Sequence, residues 1–289
     1  MELIPTVLAA VIAAVVTGPW IEDFVRQGLT RTNYRDATLA FPSGAVAITC
    51  SLLAVAPLIF IADRFGTGFF TPGFSRWDLF IIGMAMLGLL DDALGRGAEA
   101  GTSRGWRGHA SALLAGRFST GFVKAAGGLA LALWVLAGLF ENFGDYVVAL
   151  LLLLLVTNLF NLFDLRPGRV EKLLAIVLVI ACVSATSLFP LESVGVFAAP
   201  LLVGALWTLR EKAMLGDTGA NLAGAVAGVA LIVSLGSTGR LVALVVAAAM
   251  TVYAEFRSLS QAVDRIPPLR WLDSLGRIDE QSRKADQGG

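Results

Sequence analysis

Long runs of apolar residues alternate along the chain with short segments in which the polar residues collect. Each run approaches the ~20 residues that an α-helix needs to cross a lipid bilayer. The runs lack the period-two alternation that a membrane β-barrel would show. The pattern predicts nine membrane-spanning helices, at about 3–19, 45–62, 78–92, 121–139, 145–163, 171–188, 193–209, 219–235 and 239–256.

Composition supports this class. Among the 289 residues, 56% are hydrophobic and 15% are charged, whereas soluble domains carry about 25% charged residues. We therefore predict an all-α polytopic membrane protein. Residues 1–256 are expected to form one transmembrane domain, and residues 257–289 a cytoplasmic amphipathic tail. In the tail, Pro267 and Pro268 should interrupt any helix continuing from the last span, and the residues around Trp271 should lie on the membrane surface.

The distribution of basic residues predicts the orientation. The loops that follow spans 1, 3, 5 and 7, the first residues of spans 4 and 6, and the tail together contain 19 of the 22 Lys and Arg residues. The loops on the other side contain Arg64, Arg76 and Arg240. Basic residues mark the cytoplasmic side, so we expect the N-terminus outside and the tail inside. The first segment, MELIPTVLAA, lacks the basic region and cleavage site of a signal peptide, so it is interpreted as a retained helix.

A triplet of polar side chains ends the fifth predicted span. Asn158, Asn161 and Asp164 follow an uninterrupted apolar run, 147–156, at a three-residue spacing. In a helix this spacing places all three within an arc of about 120°, and polar groups at this depth avoid lipid. The triplet is interpreted either as an interhelical hydrogen-bond cluster or as part of a polar site.

Two adjacent carboxylates, Asp91 and Asp92, end the third predicted span at the same cytoplasmic depth. Like charges this close repel each other unless a cation neutralises them, and at the C-terminal end of a helix they also oppose the helix dipole. Mg²⁺ prefers carboxylate oxygens beside a substrate phosphate. A functional role is therefore favoured over two solvated acids.

A third acidic position, Asp217, begins the eighth predicted span within LGDTGAN. A helix N-terminus attracts phosphate and carboxylate groups through its free N–H groups, and Asp217 or Thr218 could also be a simple N-cap. Taken alone, the cap is the simpler interpretation. Three acidic sites at span ends on one side of the membrane favour a shared site.

Basic side chains accompany these acids. Arginine suits a diphosphate because its guanidinium presents a fixed fork of donors, although the positive-inside rule alone would place many cations here. His109 is the only histidine in the sequence. It is interpreted either as an incidental loop residue or as a phosphate contact. The candidate substrate-binding cations are Arg96, Arg107, Lys124, Arg166 and His109.

Three motifs, GLLDD, NLFNLFD and LGDTGAN, occur in this order on alternating cytoplasmic loops. Together they resemble the polyprenyl-phosphate N-acetylhexosamine-1-phosphate transferase family. That family includes the phospho-muramoyl-pentapeptide transferase of peptidoglycan synthesis and the undecaprenyl-phosphate GlcNAc-1-phosphate transferases. The resemblance runs from about Asn33 to Asp217, and NYRDATLAFPSG is similar to the family's first cytoplasmic loop.

The resemblance implies a Mg²⁺-dependent enzyme, with Mn²⁺ as a substitute. It would transfer a sugar-1-phosphate from a UDP-sugar to undecaprenyl phosphate and release UMP, as the first membrane step of cell-surface polysaccharide synthesis. Its site would lie on the cytoplasmic loops. The residues implied are Asp91, Asp92 and Asp164 for catalysis, Asn158 and Asn161 for the donor, and Asp217 with Asp92 for the metal.

The chain departs from the family at two places. After Asp164, the residues 165–168 replace the usual Gly-x-Asp-Gly, so Arg166 is expected to take over part of the nucleotide or phosphate contact. The tail contains no histidine. We expect a UDP-N-acetylhexosamine as donor. The alternatives are a phospho-muramoyl-pentapeptide transferase, a catalytically inactive homologue acting as a scaffold, and a secondary transporter, although a transporter would place its acids nearer the bilayer midplane.

The expected partners follow from this interpretation. They are a UDP-sugar, undecaprenyl phosphate and the lipid bilayer, with no nucleic acid. The expected location is the bacterial inner (plasma) membrane, as a multi-pass protein. The assembly state stays open, with a homodimer as one alternative.

Overall fold

The computed structural model describes residues 1–94 and 120–277. Within these ranges, nine helices of 17 to 23 residues pack into a bundle. They are α1 (Ile4–Arg26), α2 (Ser43–Phe65), α3 (Phe74–Leu94), α4 (Thr120–Leu136), α5 (Phe143–Phe163), α6 (Arg169–Ala185), α7 (Phe189–Thr208), α8 (Gly216–Ser234) and α9 (Ser237–Phe256). Each overlaps one of the nine predicted spans.

The apolar runs form helices because lipid offers no partner for backbone N–H and C=O groups, which a helix satisfies within itself. In the described ranges, α1, α2, α5, α7, α8 and α9 are long and apolar enough to cross a membrane. Helix α4 is apolar but has 17 residues. The prediction of an all-α membrane protein is confirmed, and the count of nine crossings stays a prediction.

Helix α8 is the central helix of the bundle. Within its most apolar window 89% of the residues are buried, compared with 6% in α9, and it contacts α2, α3, α5, α6 and α7. Its small Gly and Ala side chains let neighbouring backbones approach closely. A Cβ on Gly224 would lie 2.6 Å from the Cα of Thr157 in α5, so only glycine fits at this crossing.

Gly44, in the first turn of α2, lies even closer to α8. A Cβ there would lie 2.1 Å from the backbone nitrogen of Gly219. Gly44→Ala should therefore destabilise the bundle by about 3 kcal/mol, the upper part of the usual range for overpacking. Thermal unfolding in detergent measures this loss. As a control, Gly204→Ala in α7 adds a Cβ with nothing within 4 Å and should be neutral or slightly stabilising. Equal unfolding temperatures for the two variants would contradict the close crossing.

A short β-hairpin, which was not predicted from the sequence, follows α1. Strands β1 (Thr30–Thr32) and β2 (Thr38–Ala40) pair in antiparallel register. The turn between them is held by the side-chain Oδ1 of Asn33, which accepts hydrogen bonds from the backbone of Arg35 and Ala37. Ala40 also bonds to the segment that precedes α8, accepting from the backbone N–H of Met214 at 2.9 Å. The hairpin therefore braces the start of the central helix.

Two short helices, α10 (Leu259–Arg265) and α11 (Pro267–Ser274), follow α9. The last long helix already ends at Phe256, and the two prolines stand at a second break, where one short helix ends at Arg265 and the next begins at Pro267. Trp271 is exposed. Its predicted contact with the membrane surface stays a prediction.

The tail is fixed to the bundle by a group of charges that we name the Asp273 cluster, formed by Asp273, Arg166, Arg169 and Arg277. The buried carboxylate of Asp273 accepts from Arg169 at 2.8 and 3.0 Å and from Arg277 at 2.9 Å, and Arg166 lies 3.5 Å away. Lys172 donates to the backbone oxygens of residues 272 and 273. These contacts place the tail on the segment between α5 and α6.

Candidate functional site

Four helix ends meet at one end of the bundle and enclose a cavity of about 420 Å³, which we name the central cavity. They are the C-terminal ends of α3 and α5 and the N-terminal ends of α4 and α8. The polar part of the lining lies toward these helix ends and consists of Asp91, Thr120, Lys124, Thr157, Asn158, Asn161 and Asn221. About one turn or more further into the bundle the lining is apolar, with Met84, Gly128, Leu154 and Leu155.

Lys124 is the central cation of this site. Its Nζ lies 2.9 Å from Oδ2 of Asp217 and 3.7 Å from Oδ2 of Asp91. The hydrogen-bond network assigns the amide of Asn161 so that its nitrogen donates to Oδ1 of Asp217 (3.1 Å) and its oxygen accepts from Lys124 (3.3 Å). The structure therefore brings four predicted residues into one contact group, and Asn158 lines the same cavity.

Asp92 points away from this group and caps the central helix. Its Oδ1 accepts from the backbone N–H of Asp217 at 2.9 Å, and its Oδ2 accepts from the N–H and hydroxyl of Thr218 at 2.8 and 2.6 Å. The first N–H groups of a helix lack intrahelical partners, and a carboxylate there also complements the helix dipole. Gly216 makes room, because it has a φ of 75° and a Cβ on it would lie 2.8 Å from Asp92.

This geometry separates the roles of the two adjacent acids. Both oxygens of Asp92 already accept hydrogen bonds, and the side chain is buried. Asp91 is half-buried and faces the cavity. The predicted metal and catalytic roles of Asp92 stay predictions, and Asp91 is better placed than Asp92 to meet a ligand.

Asp164 does not share the cavity of Asn158 and Asn161. Helix α5 ends at Phe163, and Asp164 is its C-cap residue. The two asparagines line the central cavity, whereas Asp164 lines a different one. Its side chain lines a smaller cavity of about 70 Å³, whose other polar lining residues are Asn33, Tyr34, Arg166, Glu171 and Thr208.

The environment of Asp164 favours its uncharged form. Burial raises the pKa of this carboxyl well above its ordinary value, and the negative charges of Glu171, Asp217 and Asp92 raise it further. Glu171 is itself buried and accepts a hydrogen bond from the hydroxyl of Thr208. A raised pKa makes Asp164 a weaker candidate for a metal-binding carboxylate than an acid with an ordinary pKa.

The predicted cations fall in different places. Arg166 donates two hydrogen bonds to Asp264, at 2.8 and 2.7 Å, so its guanidinium fork is already engaged by the tail. Its predicted substrate contact stays a prediction. Arg96, Arg107 and His109 lie outside the described residues.

Sequence reasoning missed Asn221 and Glu171. Asn221 is the last residue of the LGDTGAN motif, in which only Asp217 was assigned a role in the site. It lies four residues after Asp217 and so one turn further along the same face of α8. Glu171 lies in the first turn of α6, where an acidic residue is typical. The spacing from Asp217 was the available signal for Asn221.

The side chains at this site could bind Mg²⁺ only if substrate phosphates and water supplied the remaining ligands. Among residues 1–94 and 120–277, no group of three or more His, Cys, Asp and Glu side chains could hold a metal ion. Mg²⁺ is commonly bound by one or two carboxylates together with substrate phosphates and water. Asp91 and Asp217, which share the ammonium group of Lys124, fit that arrangement.

A comparison of the sequence with protein-family models and with curated proteins finds no match. The three motifs and their order therefore carry the family resemblance. The contacts around Lys124 and the shape of the central cavity carry the functional argument.

Proposed function

We propose that this protein transfers a sugar-1-phosphate from a UDP-sugar to undecaprenyl phosphate and releases UMP. The observation that carries the proposal is the central cavity, which has charged and amide groups at the helix ends and an apolar lining further in. Such a cavity suits an amphiphile with an anionic head and a hydrocarbon chain. A soluble nucleotide would reach the polar end from the cytoplasm.

The reaction exchanges one phosphorus–oxygen bond for another. A phosphate oxygen of undecaprenyl phosphate attacks the β-phosphorus of the UDP-sugar and forms the new bond. The bond from the β-phosphorus to the bridging oxygen breaks, and UMP leaves with the electron pair. A fully ionised acceptor phosphate has no proton to lose, so the step requires no histidine base. Catalysis then depends on positioning and on stabilising negative charge.

The residues in and beside the central cavity have distinct tasks in this proposal. Lys124 donates to phosphate oxygens and lowers the repulsion between the two anionic substrates. Asn158 and Asn161 orient the donor through their amides. Asp91 and Asp217 would hold Mg²⁺, which supplies positive charge at the diphosphate oxygens. Asp92 acts as a positioning residue, because it holds the first turn of α8 and with it Asp217.

The remaining parts of the proposal follow the sequence predictions. We place nine crossings in a bacterial inner membrane, with the cavity mouth and the tail in the cytoplasm, in accordance with the distribution of basic residues. We propose a UDP-N-acetylhexosamine as donor. The tail, from Arg257 onward, contains arginines and one lysine but no histidine, and arginine can position a phosphate but cannot exchange protons near neutral pH.

Turnover by the purified protein tests this function. The protein is incubated with undecaprenyl phosphate, Mg²⁺ and each of a panel of UDP-sugars, and released UMP and radiolabelled lipid product are measured. We expect both products from a UDP-N-acetylhexosamine and neither when undecaprenyl phosphate is omitted. If UDP-muramoyl-pentapeptide were the one donor turned over, the proposal of a UDP-N-acetylhexosamine as donor would be refuted. Absence of UMP with every donor would refute the transferase function.

A further inference from the structure

Asn221 is a buried amide without a partner. Its side chain is fully buried, and among the residues that the structure describes neither its Oδ1 nor its Nδ2 has a hydrogen-bond partner. Buried amides are nearly always hydrogen-bonded in folded proteins. One that is not bonded destabilises the fold, because it has lost its hydrogen bonds to water without replacing them. The side chain therefore needs an explanation that the packing of α8 does not supply.

The surroundings of Asn221 would favour an apolar residue. It lies on the central helix, where the neighbouring positions 220, 222 and 223 are buried Ala and Leu residues. Gly88 of α3 faces it, because a Cβ on Gly88 would lie 2.8 Å from Nδ2 of Asn221. Leucine has the same branching and the same number of non-hydrogen atoms as asparagine and would remove the unbonded polar atoms. The amide therefore weakens the fold unless a ligand supplies its partner.

The position of Asn221 indicates which ligand this is. It lines the central cavity one helical turn deeper than Asp217, at the change from polar to apolar lining. Toward the helix ends lie the ammonium group of Lys124 and the amide of Asn161, and further in lie Leu154 and Met84. A group that reaches this level carries both an anionic head and a hydrocarbon chain.

We propose that Asn221 is a further substrate-contacting residue, whose amide donates a hydrogen bond to the phosphate of the polyprenyl phosphate acceptor where the head group joins its first isoprenoid unit. This inference rests on the proposed transferase function and deepens it. The amide nitrogen donates to a phosphate oxygen, and the apolar lining receives the start of the chain. The soluble donor binds nearer the cytoplasm and does not contact Asn221.

Asn221→Leu tests this role through stability and binding together. Without ligand, the variant should unfold at a higher temperature than the wild type, since it loses an unsatisfied buried amide. Its affinity for undecaprenyl phosphate should fall about tenfold or more, the scale of a hydrogen bond to a charged group. In turnover, KM for undecaprenyl phosphate should rise while KM for the UDP-sugar stays unchanged. Asn221→Ala, which is smaller and fits the same space, repeats the binding test if the leucine variant does not fold.

Three ligands and one control variant sharpen the result. Undecaprenyl phosphate should stabilise the wild type, whereas undecaprenol, which lacks the phosphate, and inorganic phosphate, which lacks the chain, should stabilise it less. Ser51→Ala removes a buried hydroxyl that bonds to the backbone of Ala47, so it should neither raise stability nor change affinity. Unchanged affinity in both Asn221 variants, with a wild type that binds undecaprenyl phosphate, would overturn the role of Asn221 and leave the transferase function standing. A wild type that binds no undecaprenyl phosphate would overturn both.

Discussion

Replacing Asp217 with asparagine should lower UMP release at least ~10²-fold, the scale of removing one preorganised electrostatic group. The substitution keeps the shape of the side chain and removes its negative charge. In the structure this carboxylate lies 2.9 Å from the Nζ of Lys124 and accepts a hydrogen bond from the amide of Asn161. The substitution therefore alters the contacts of a cation and of a residue proposed to bind the donor. Initial rates with saturating undecaprenyl phosphate and UDP-sugar measure the loss.

Metal removal gives the companion result. Because two carboxylates provide an incomplete set of ligands, the ion should be held jointly with substrate and lost to a chelator. Activity should disappear in EDTA and return with Mg²⁺ or Mn²⁺. Asp63→Asn provides the control. Asp63 is exposed near the C-terminal end of α2, whereas the N-terminal end of the same helix, at Gly44, contacts the start of α8. This variant should retain full activity. Full activity of Asp217→Asn, or of the wild type in chelator, would contradict the proposed mechanism.

The second large effect is expected at the Asp273 cluster. Asp273→Asn leaves three arginines around a neutral amide, two of them, Arg169 and Arg277, with largely buried side chains. Breaking a buried ion pair by removing one partner typically costs about 3–5 kcal/mol. The loss should appear as easier opening of the tail, measured by hydrogen exchange of the backbone amides of α10 and α11.

The pH dependence of this effect has a definite sign. Burial raises the pKa of Asp273, but the hydrogen bond and charge of Arg169 and the charges of Arg277 and Arg166 outweigh burial, so the net pKa lies below its ordinary value. A lowered pKa contributes stability that is present above the ordinary carboxyl range and is lost as the pH falls through the folded-state value. The difference between wild type and Asp273→Asn should therefore be largest at neutral pH and shrink in acid.

A nearby carboxylate serves as the matched control. Asp264 also pairs with Arg166, yet its side chain is 42% exposed, and exposed ion pairs contribute about 0–1 kcal/mol. Asp264→Asn should accordingly change tail opening little. If the two substitutions have equal effects, burial of the cluster does not determine the docking of the tail.

The adjacent acids show what sequence reasoning could not decide. Successive residues on a helix differ by about 100° in direction, so Asp91 and Asp92 point to different neighbours of α3. Which of them faces the central cavity depends on the rotation of α3 about its axis, and that rotation is set by packing against α8. The same limit applies to Asp164, because its spacing from the two asparagines did not reveal that it lines a different cavity.

By itself the sequence determined the class of protein, the position of each long helix and the end of the bundle where polar chemistry collects. It could do so because apolar length and helical spacing are local properties that lipid enforces. Tertiary structure decided that Asp92 caps α8, that Arg166 joins the tail, and that Asn221 meets the central cavity. The first two outcomes depend on hydrogen bonds between residues more than 90 positions apart in the sequence. A local sequence pattern does not indicate which distant donor or acceptor a side chain will meet.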